Sequence, residues 1–356
     1  MKVAFILPSL ANRGPIVFSK YLIDELKNTV DLIDVFYFDD IVNIEMRVEC
    51  KKITFWKKYD FSKYDIIHTT MARSDIYAWL YVPHNKWVVS MHNYLDTDLK
   101  MLYSKFKAFV FSSIWKMSLM QAQNIIVSSC AMRLYYEKML GKNRNYVVIP
   151  YGITEKPYEP INESDRIVCA DFKSKGYTVL GSVGLLIYRK GFHQILEFMK
   201  NNSKFACIIV GEGNQRKYLE GMAQEYNLQD RILLTGFRNS SYNYYQYIDI
   251  YMHVSYSEGF GLAMLEAMSK KLPIVCSALP IYADYFSEKD VAFFDVDTIS
   301  SLSEAILKVV NNKDYYADMA YKSFQINFES TIMAKKHLDY YHSIKYGKFF
   351  SFPFSL

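Results

Sequence analysis

The stretch Asp249-Ile250-Tyr251-Met252-His253-Val254, continued by Ser255-Tyr256 and then by Ser257-Glu258-Gly259-Phe260-Gly261-Leu262-Ala263-Met264-Leu265-Glu266, decides how the chain reads. Its apolar first part predicts a buried strand, and residues 261–269 have the spacing of a helix. Strand, glycine-bearing loop and helix together make the repeating piece of a parallel sheet. Around it, Thr178–Val183, Phe205–Val210 and residues 231–234, 273–276 and 291–294 read the same way. Helical patterns at 192–200 and 215–226 lie between them. Upstream, a first series of runs occupies Lys2–Leu7, 33–38, 65–68, Trp87–Ser90, 124–128 and 146–149, with helical patterns at 16–26 and 99–119. Continuous Val/Ile/Leu strands bounded by helices mean parallel sheets covered on both faces. The expectation is an α/β protein of two doubly wound, Rossmann-like domains facing a central cleft, with ligands beyond the carboxyl ends of the strands.

The expected boundaries are 1–160 for a first Rossmann-like domain, 161–330 for a second, and 331–356 for a terminal helix and tail packing back on the first. Residues 154–176, with Pro157, Pro160 and many charges, read as a linker in which 167–170 could pair locally. The 356 residues are 51% hydrophobic and 22% charged, which excludes disorder, collagen and coiled coil. Five scattered cysteines without a C-x-x-C pair suggest neither a zinc site nor a disulfide framework and fit a reducing, cytoplasmic setting. Residues 1–7 read as a first strand rather than a signal peptide, since Pro8 interrupts and Arg13 follows. The net charge of +5 is too small to mark a nucleic-acid binder. It is also local: Lys100, Lys105, Lys107, Lys116 and Arg133 fall between Asp98 and Glu137 with no acidic residue among them.

The chemistry concentrates in the quoted loop. Gly259 and Gly261 let the backbone turn tightly and approach a ligand closely. The helix start beyond them offers unpaired N–H groups and a positive dipole end, suited to a diphosphate. Glu258 stands before the helix, and Glu266 lies roughly 7–8 Å further along it. That span fits a sugar, a diphosphate and a ribose in a row, each carboxylate accepting from vicinal hydroxyls. A helix N-terminal acid followed by an ordinary exposed Glu is the plain alternative.

Glu258-x7-Glu266 resembles the E-x7-E signature of the GT4 family of retaining GT-B glycosyltransferases. Val183-Gly184 with Arg189-Lys190-Gly191, then Val210-Gly211-Glu212-Gly213, then Leu234-Thr235-Gly236-Phe237, are similar to further elements of that family in the same order. Ile149-Pro150-Tyr151-Gly152-Ile153 is similar to the segment before its interdomain linker. The resemblance implies a cytoplasmic enzyme, peripheral on the inner face of a bacterial plasma membrane. It would move a hexose or N-acetylhexosamine from a nucleotide sugar, a UDP-sugar first and a GDP-sugar second, to an undecaprenyl-diphosphate-linked saccharide in O-antigen or capsule assembly. It implies no cofactor and no metal. Glu258 would hold the donor sugar, Lys190 the diphosphate and Glu266 the ribose, with Gly259, Phe260, Gly261, Gly184 and Gly236 around the donor. The leaving phosphate itself would take the acceptor's proton.

Two departures stand out. The family's usual Arg after the strand falls on Leu185, so Arg189 either brings the second charge or points to solvent, and Arg13 is a further source. The first-strand loop, Leu10-Ala11-Asn12-Arg13-Gly14-Pro15, has one glycine where relatives carry a pair; Gly14 admits a phosphate or serves a plain turn. His92, after the strand Trp87–Ser90, stands where the family often has a histidine lining the cleft near the sugar; a core or hydrogen-bonded histidine is the plain alternative. The triplets Asp96-Thr97-Asp98 and Asp295-Val296-Asp297 have the form of a metal-dependent site. Such triplets arise easily by chance, and Asp297 reads as a helix cap. Residues 99–120, with lysines among Tyr103, Phe106, Phe109, Phe111 and Trp115, form a basic aromatic helix suited to an anionic membrane surface. A helix packing its apolar face on its own sheet is the competing account. The tail Phe349–Phe354 either packs or makes a second interfacial contact. A GT-B-shaped sugar-nucleotide 2-epimerase and a non-catalytic nucleotide-sugar-binding subunit are the rival functions.

Overall fold

The computed structural model describes residues 1–95 and 105–347. In chain order the first part runs β1 (Lys2–Leu7), α1 (Gly14–Leu26), β2 (Leu32–Tyr37), β3 (Glu49–Lys52), β4 (Ile66–Thr70), α2 (Ala72–Tyr81), β5 (Trp87–Ser90), α3 (Lys105–Leu119), β6 (Asn124–Val127), α4 (Cys130–Leu140) and β7 (Asn145–Val148). Then follow α5 (Glu163–Ser174), β8 (Thr178–Val183), α6 (His193–Lys200), β9 (Phe205–Val210), α7 (Arg216–Glu225), β10 (Ile232–Leu234), β11 (Ile250–His253), α8 (Leu262–Ser269), β12 (Ile274–Ser277), β13 (Ala292–Phe294), α9 (Ile299–Asn311), α10 (Lys313–Asn327) and α11 (Ser330–Tyr346). The chain divides into two compact units. Met1–Thr154 joins the segment from Phe328 onward, and Glu155–Asn327 forms the other. Helix α11 lies against α1 within the first unit.

Each unit is built on a parallel sheet. The first has seven strands in the order β3-β2-β1-β4-β5-β6-β7, the second six in the order β10-β9-β8-β11-β12-β13. Both orders reverse at the first strand of the unit, where ligand crevices open in doubly wound folds. Strand side chains alternate between the two faces, and in the second unit each face meets its own helices. Leu180, Cys207, Ile209, Ile250, Met252 and Val275 pack with α6, α7 and α9. Val179, Ala206, Ile208 and Val210 pack on the other face with Cys169 and Phe172 of α5 and with Tyr244 of the 3-10 helix Ser241–Tyr247.

The two-domain α/β class stands as expected, with three corrections of detail. Strand β3, Glu-Cys-Lys-Lys, is polar and escapes an apolar-run search because it lies at the sheet edge. The stretch expected as a linker contains helix α5, started by Asn162, whose side chain accepts from the Asp165 N–H at 2.9 Å. Asp297 does not cap α9. Thr298 holds the cap position without a side-chain bond, and the Asp297 carboxylate accepts from Tyr256 instead. The Asp96/Asp98 triplet, residues 99–104 of the basic segment and the Phe349–Phe354 tail lie outside the described residues. Among the described residues no helix is long and apolar enough to cross a membrane.

Candidate functional site

The β8 and β11 loops meet because their strands are neighbours in the sheet. The join is very close. Gly191 has φ +65°, and a Cβ there would lie 2.1 Å from the Val254 carbonyl oxygen, so only glycine fits. Gln194 locks the junction from below, its Nε2 donating to Val254 O at 3.0 Å and its Oε1 accepting the Asp297 N–H at 2.9 Å. The Tyr256 N–H donates to the Arg189 carbonyl at 2.8 Å. Gly261, at φ +98°, ends the loop and starts α8; a Cβ there would strike the His253 ring at 2.9 Å.

This packing presses Arg189 and Lys190 against Glu258. Lys190 Nζ donates to Glu258 Oε1 at 2.6 Å, and Ser255 Oγ donates to the same oxygen at 2.6 Å. Arg189 Nη1 donates to the Ser257 carbonyl at 2.7 Å and stands 3.7 Å from Glu258 Oε2. The Arg189 side chain is therefore turned into the loop, 18% exposed, and does not point to solvent. The Glu258 side chain is only 5% exposed. Burial alone would raise its pKa, but Lys190 first, then His253 and Arg189, outweigh it and hold the carboxyl at about 2. Glu258 is thus ionised, buried and paired. Leu185, at the position expected to carry Arg, is 57% exposed.

Behind the loop stands a layer that a sequence search does not reveal. Tyr282 OH donates to the Phe260 carbonyl at 2.9 Å, so His253 Nε2, 2.6 Å from that hydroxyl, must be the donor to it. Burial keeps His253 neutral, with its pKa lowered to about 4. The Phe260 ring is fully buried beside Tyr282 and Tyr285, so what it offers a ligand is backbone. Gly259 is buried as well. Glu266, one helical turn into α8 and beyond, lies partly buried by the other helical layer. Tyr245 OH donates to its Oε2 at 3.0 Å, and burial pushes its pKa up, opposed by Lys156 and that hydrogen bond. Gly184 places its backbone over the Lys190 stem, and Gly236 bridges to Gly211 at the neighbouring strand ends.

In the first unit, Arg13 is exposed at the start of α1, and a Cβ on Gly14 would meet nothing within 4 Å, so that glycine leaves the loop mouth open without being required by it. His92 is buried beyond the end of β5, its Nδ1 bonded to Tyr151 OH and its ring edge-on to Phe18. Its Nε2 is buried with no hydrogen-bond partner among the described residues. Burial, then the charge of His337, lower its pKa to about 3, so it is a neutral ring and a poor proton acceptor. Helix α3 buries Trp115 and Leu119, and Trp115 Nε1 donates to Asp75 Oδ2 at 2.8 Å. Its other side exposes Phe106, Phe109, Val110, Phe111, Ile114 and Met117 with Lys107 and Lys116.

Residues 167–325 match the family model described as glycosyl transferases group 1. The O-antigen biosynthesis glycosyltransferase WclY of Escherichia coli is 24% identical over 369 aligned positions, covering 97% of this chain and 99% of that protein. The UDP-Gal:alpha-D-GlcNAc-diphosphoundecaprenol alpha-1,3-galactosyltransferase of Escherichia coli is 25% identical over 291 positions, covering 76% of this chain and 73% of the other. Among solved structures, sucrose-phosphate synthase from Thermosynechococcus elongatus superposes with a TM-score of 0.78 at 19% identity, covering 98% of this chain and 100% of that one. The matched segment spans the sheet that carries Glu258, Lys190 and Glu266, so the second unit is similar to the group 1 glycosyl transferases, and the chain as a whole has the GT-B fold.

Proposed function

We propose that the chain is a retaining, metal-independent GT4 enzyme. In this reading it moves a hexose or N-acetylhexosamine from a UDP-sugar to an undecaprenyl-diphosphate-linked saccharide in O-antigen assembly. The observation that carries the donor reading is the buried Glu258 carboxylate, held 2.6 Å from Lys190 beside the start of α8. A helix N-terminus and two cations stabilise a leaving diphosphate without a metal, since charge developing there meets fixed dipoles. Lys190 and Arg189 take the phosphates, Glu258 the sugar hydroxyls and Glu266 the ribose. The orphaned Nε2 of His92 is available to a saccharide hydroxyl. The acceptor in the name of the galactosyltransferase and the O-antigen pathway in the name of WclY support the lipid-linked acceptor and the O-antigen setting.

The acceptor reading places the enzyme on the inner face of the plasma membrane through α3. Its exposed phenylalanines enter the headgroup boundary while Lys107 and Lys116 meet anionic lipid. The double variant Lys107→Glu/Lys116→Glu should bind phosphatidylglycerol vesicles at least about tenfold more weakly, at roughly 1 kcal/mol per lysine. Unchanged cosedimentation would remove this surface from the account.

Transfer is tested with UDP-galactose and UDP-N-acetylglucosamine on undecaprenyl-diphosphate-linked GlcNAc, with a chelator present. An α-linked product from the α-linked donor supports retention and metal independence. A β-linked product, or loss of turnover with chelator, would overturn the corresponding part. Glu266→Ala should raise the Kd for UDP about tenfold, the scale of a charge-assisted hydrogen bond. Calorimetry showing unchanged affinity would remove the ribose role.

A further inference from the structure

Beside the charged loop lies an aromatic cluster that the donor reading does not use. Tyr188, two residues before Lys190, is near-parallel to Tyr256, with ring centroids 5.2 Å apart at 7°, and to His193, at 5.6 Å and 13°. His193 and Tyr256 are themselves 5.9 Å apart at 18°. Three parallel rings at three similar separations form a triangle, not a column. Of the three, Tyr188 is the exposed member, at 57%, while His193 and Tyr256 are half-buried. Beneath it, Tyr256 OH donates to the exposed Asp297 carboxylate, so the His193 Nε2, 3.1 Å from that hydroxyl, is the donor to it. The platform is thus held by a hydrogen-bonded base. It presents a flat apolar face with a carboxylate at its foot.

The fold also fixes which end of a donor the platform lies near. Glu266 meets Tyr245 of the 3-10 helix on one face of the sheet. His193 opens α6, which packs on the opposite face. Glu258 stands at the strand ends, two residues after Tyr256, a Cα separation of at most about 7 Å. With the ribose at Glu266 and the sugar at Glu258, Tyr188 lies on the side away from Glu266, beside the loop that carries Glu258.

We propose that the outward face of Tyr188, with the Asp297 carboxylate beside it, is a saccharide subsite on which a pyranose of the acceptor stacks next to the sugar being transferred. A pyranose offers an apolar C–H face to an aromatic ring and equatorial hydroxyls to a carboxylate, and those are the two surfaces present. The inference rests on the donor reading above, so the test separates the two.

Saturation-transfer NMR on the full chain with methyl glycosides of galactose and N-acetylglucosamine, in the presence of UDP, reads the subsite directly. Ring C–H saturation in the wild type, about fivefold weaker in Tyr188→Ala and retained in Tyr188→Phe, is the expected result. Equal signals in wild type and Tyr188→Ala would overturn it. So would no glycoside signal in the wild type, or a UDP uracil signal that disappears in Tyr188→Ala and marks a nucleobase platform instead. A melting-temperature rise with UDP in Tyr188→Ala confirms that the variant is folded. Failure of UDP to stabilise the wild type would overturn the donor reading, while the glycoside signal still decides the platform.

Discussion

Replacing Lys190 with alanine should lower nucleotide-sugar turnover by about a hundredfold or more and destabilise the second unit by about 3 kcal/mol. Both effects follow from one contact. Lys190 Nζ lies 2.6 Å from Glu258 Oε1, and the carboxylate is 5% exposed. Without the lysine, Arg189 at 3.7 Å is the remaining cation near that carboxylate. Removing one partner of a buried pair leaves an uncompensated charge, which is far costlier than the pair itself is stabilising. The Glu258 pKa then rises from about 2, because burial has lost its largest opponent. Adding Glu258→Gln to Lys190→Ala should restore most of the stability and none of the turnover. Urea unfolding followed through the second unit, alongside release of nucleoside diphosphate, separates the two effects. A double variant less stable than Lys190→Ala would show that Glu258 is not carrying a buried charge.

Acid should unfold the first unit well before the second. His68, His92 and His337 are buried there, and burial lowers the pKa of each: His92 to about 3, His337 to about 4 and His68 well below its ordinary 6.5. His68 bonds to Tyr341 OH at 2.5 Å and to Ser90 Oγ at 2.7 Å, and its ring stacks on His337, joining α11 to the sheet. These rings are neutral when folded but take protons near pH 6.5 when unfolded. The unfolded state then binds more protons, so stability is complete above pH 6.5 and falls as pH drops below it. Each contributes about 1.4 kcal/mol per pH unit over that window. Asp75 acts in the opposite sense: burial lifts its carboxyl to about 7, against hydrogen bonds from Thr69 and Trp115, so the folded state gains as pH falls. Three histidines against one carboxyl leave a net loss of about 4 kcal/mol between pH 6.5 and 5. In the second unit His253 has the same sign, and Glu266, its pKa raised, opposes it. All four tryptophans, Trp56, Trp79, Trp87 and Trp115, belong to the first unit, so their fluorescence reports that unit alone. His337→Gln should flatten the slope by about one group's share. A first-unit stability unchanged from pH 7 to pH 5 would contradict the histidine assignment.

The second unit's fold was legible because its strands are uninterrupted apolar runs such as Phe205–Val210, buried throughout. Strand β3 and helix α5 were not. The edge strand has too little buried surface to impose an apolar pattern. In α5, Asp165, Arg166, Asp171 and Lys173 surround the Cys169 and Phe172 that do the packing. Within the site, Glu258, Lys190 and Glu266 stand out because glycines and charges cluster around them along the chain. Ser255, His253, Tyr282 and Gln194 do not, because their roles arise from distances across the fold. A histidine on a buried strand looks the same in sequence whether it fills a core or holds a loop. Asp297 shows the converse error: its place before a helix suggested a cap, and its side chain turned instead to Tyr256.

The most direct test is a thermal-shift panel of UDP- and GDP-sugars on wild type and on Lys190→Ala. Ligand raises stability with its concentration over Kd, so a true donor stands out from the rest. The account predicts a rise for one nucleotide's sugars in the wild type, its loss in Lys190→Ala, and slow release of nucleoside diphosphate. No stabilisation by any nucleotide sugar, or a C2-epimerised nucleotide sugar formed without acceptor, would contradict it.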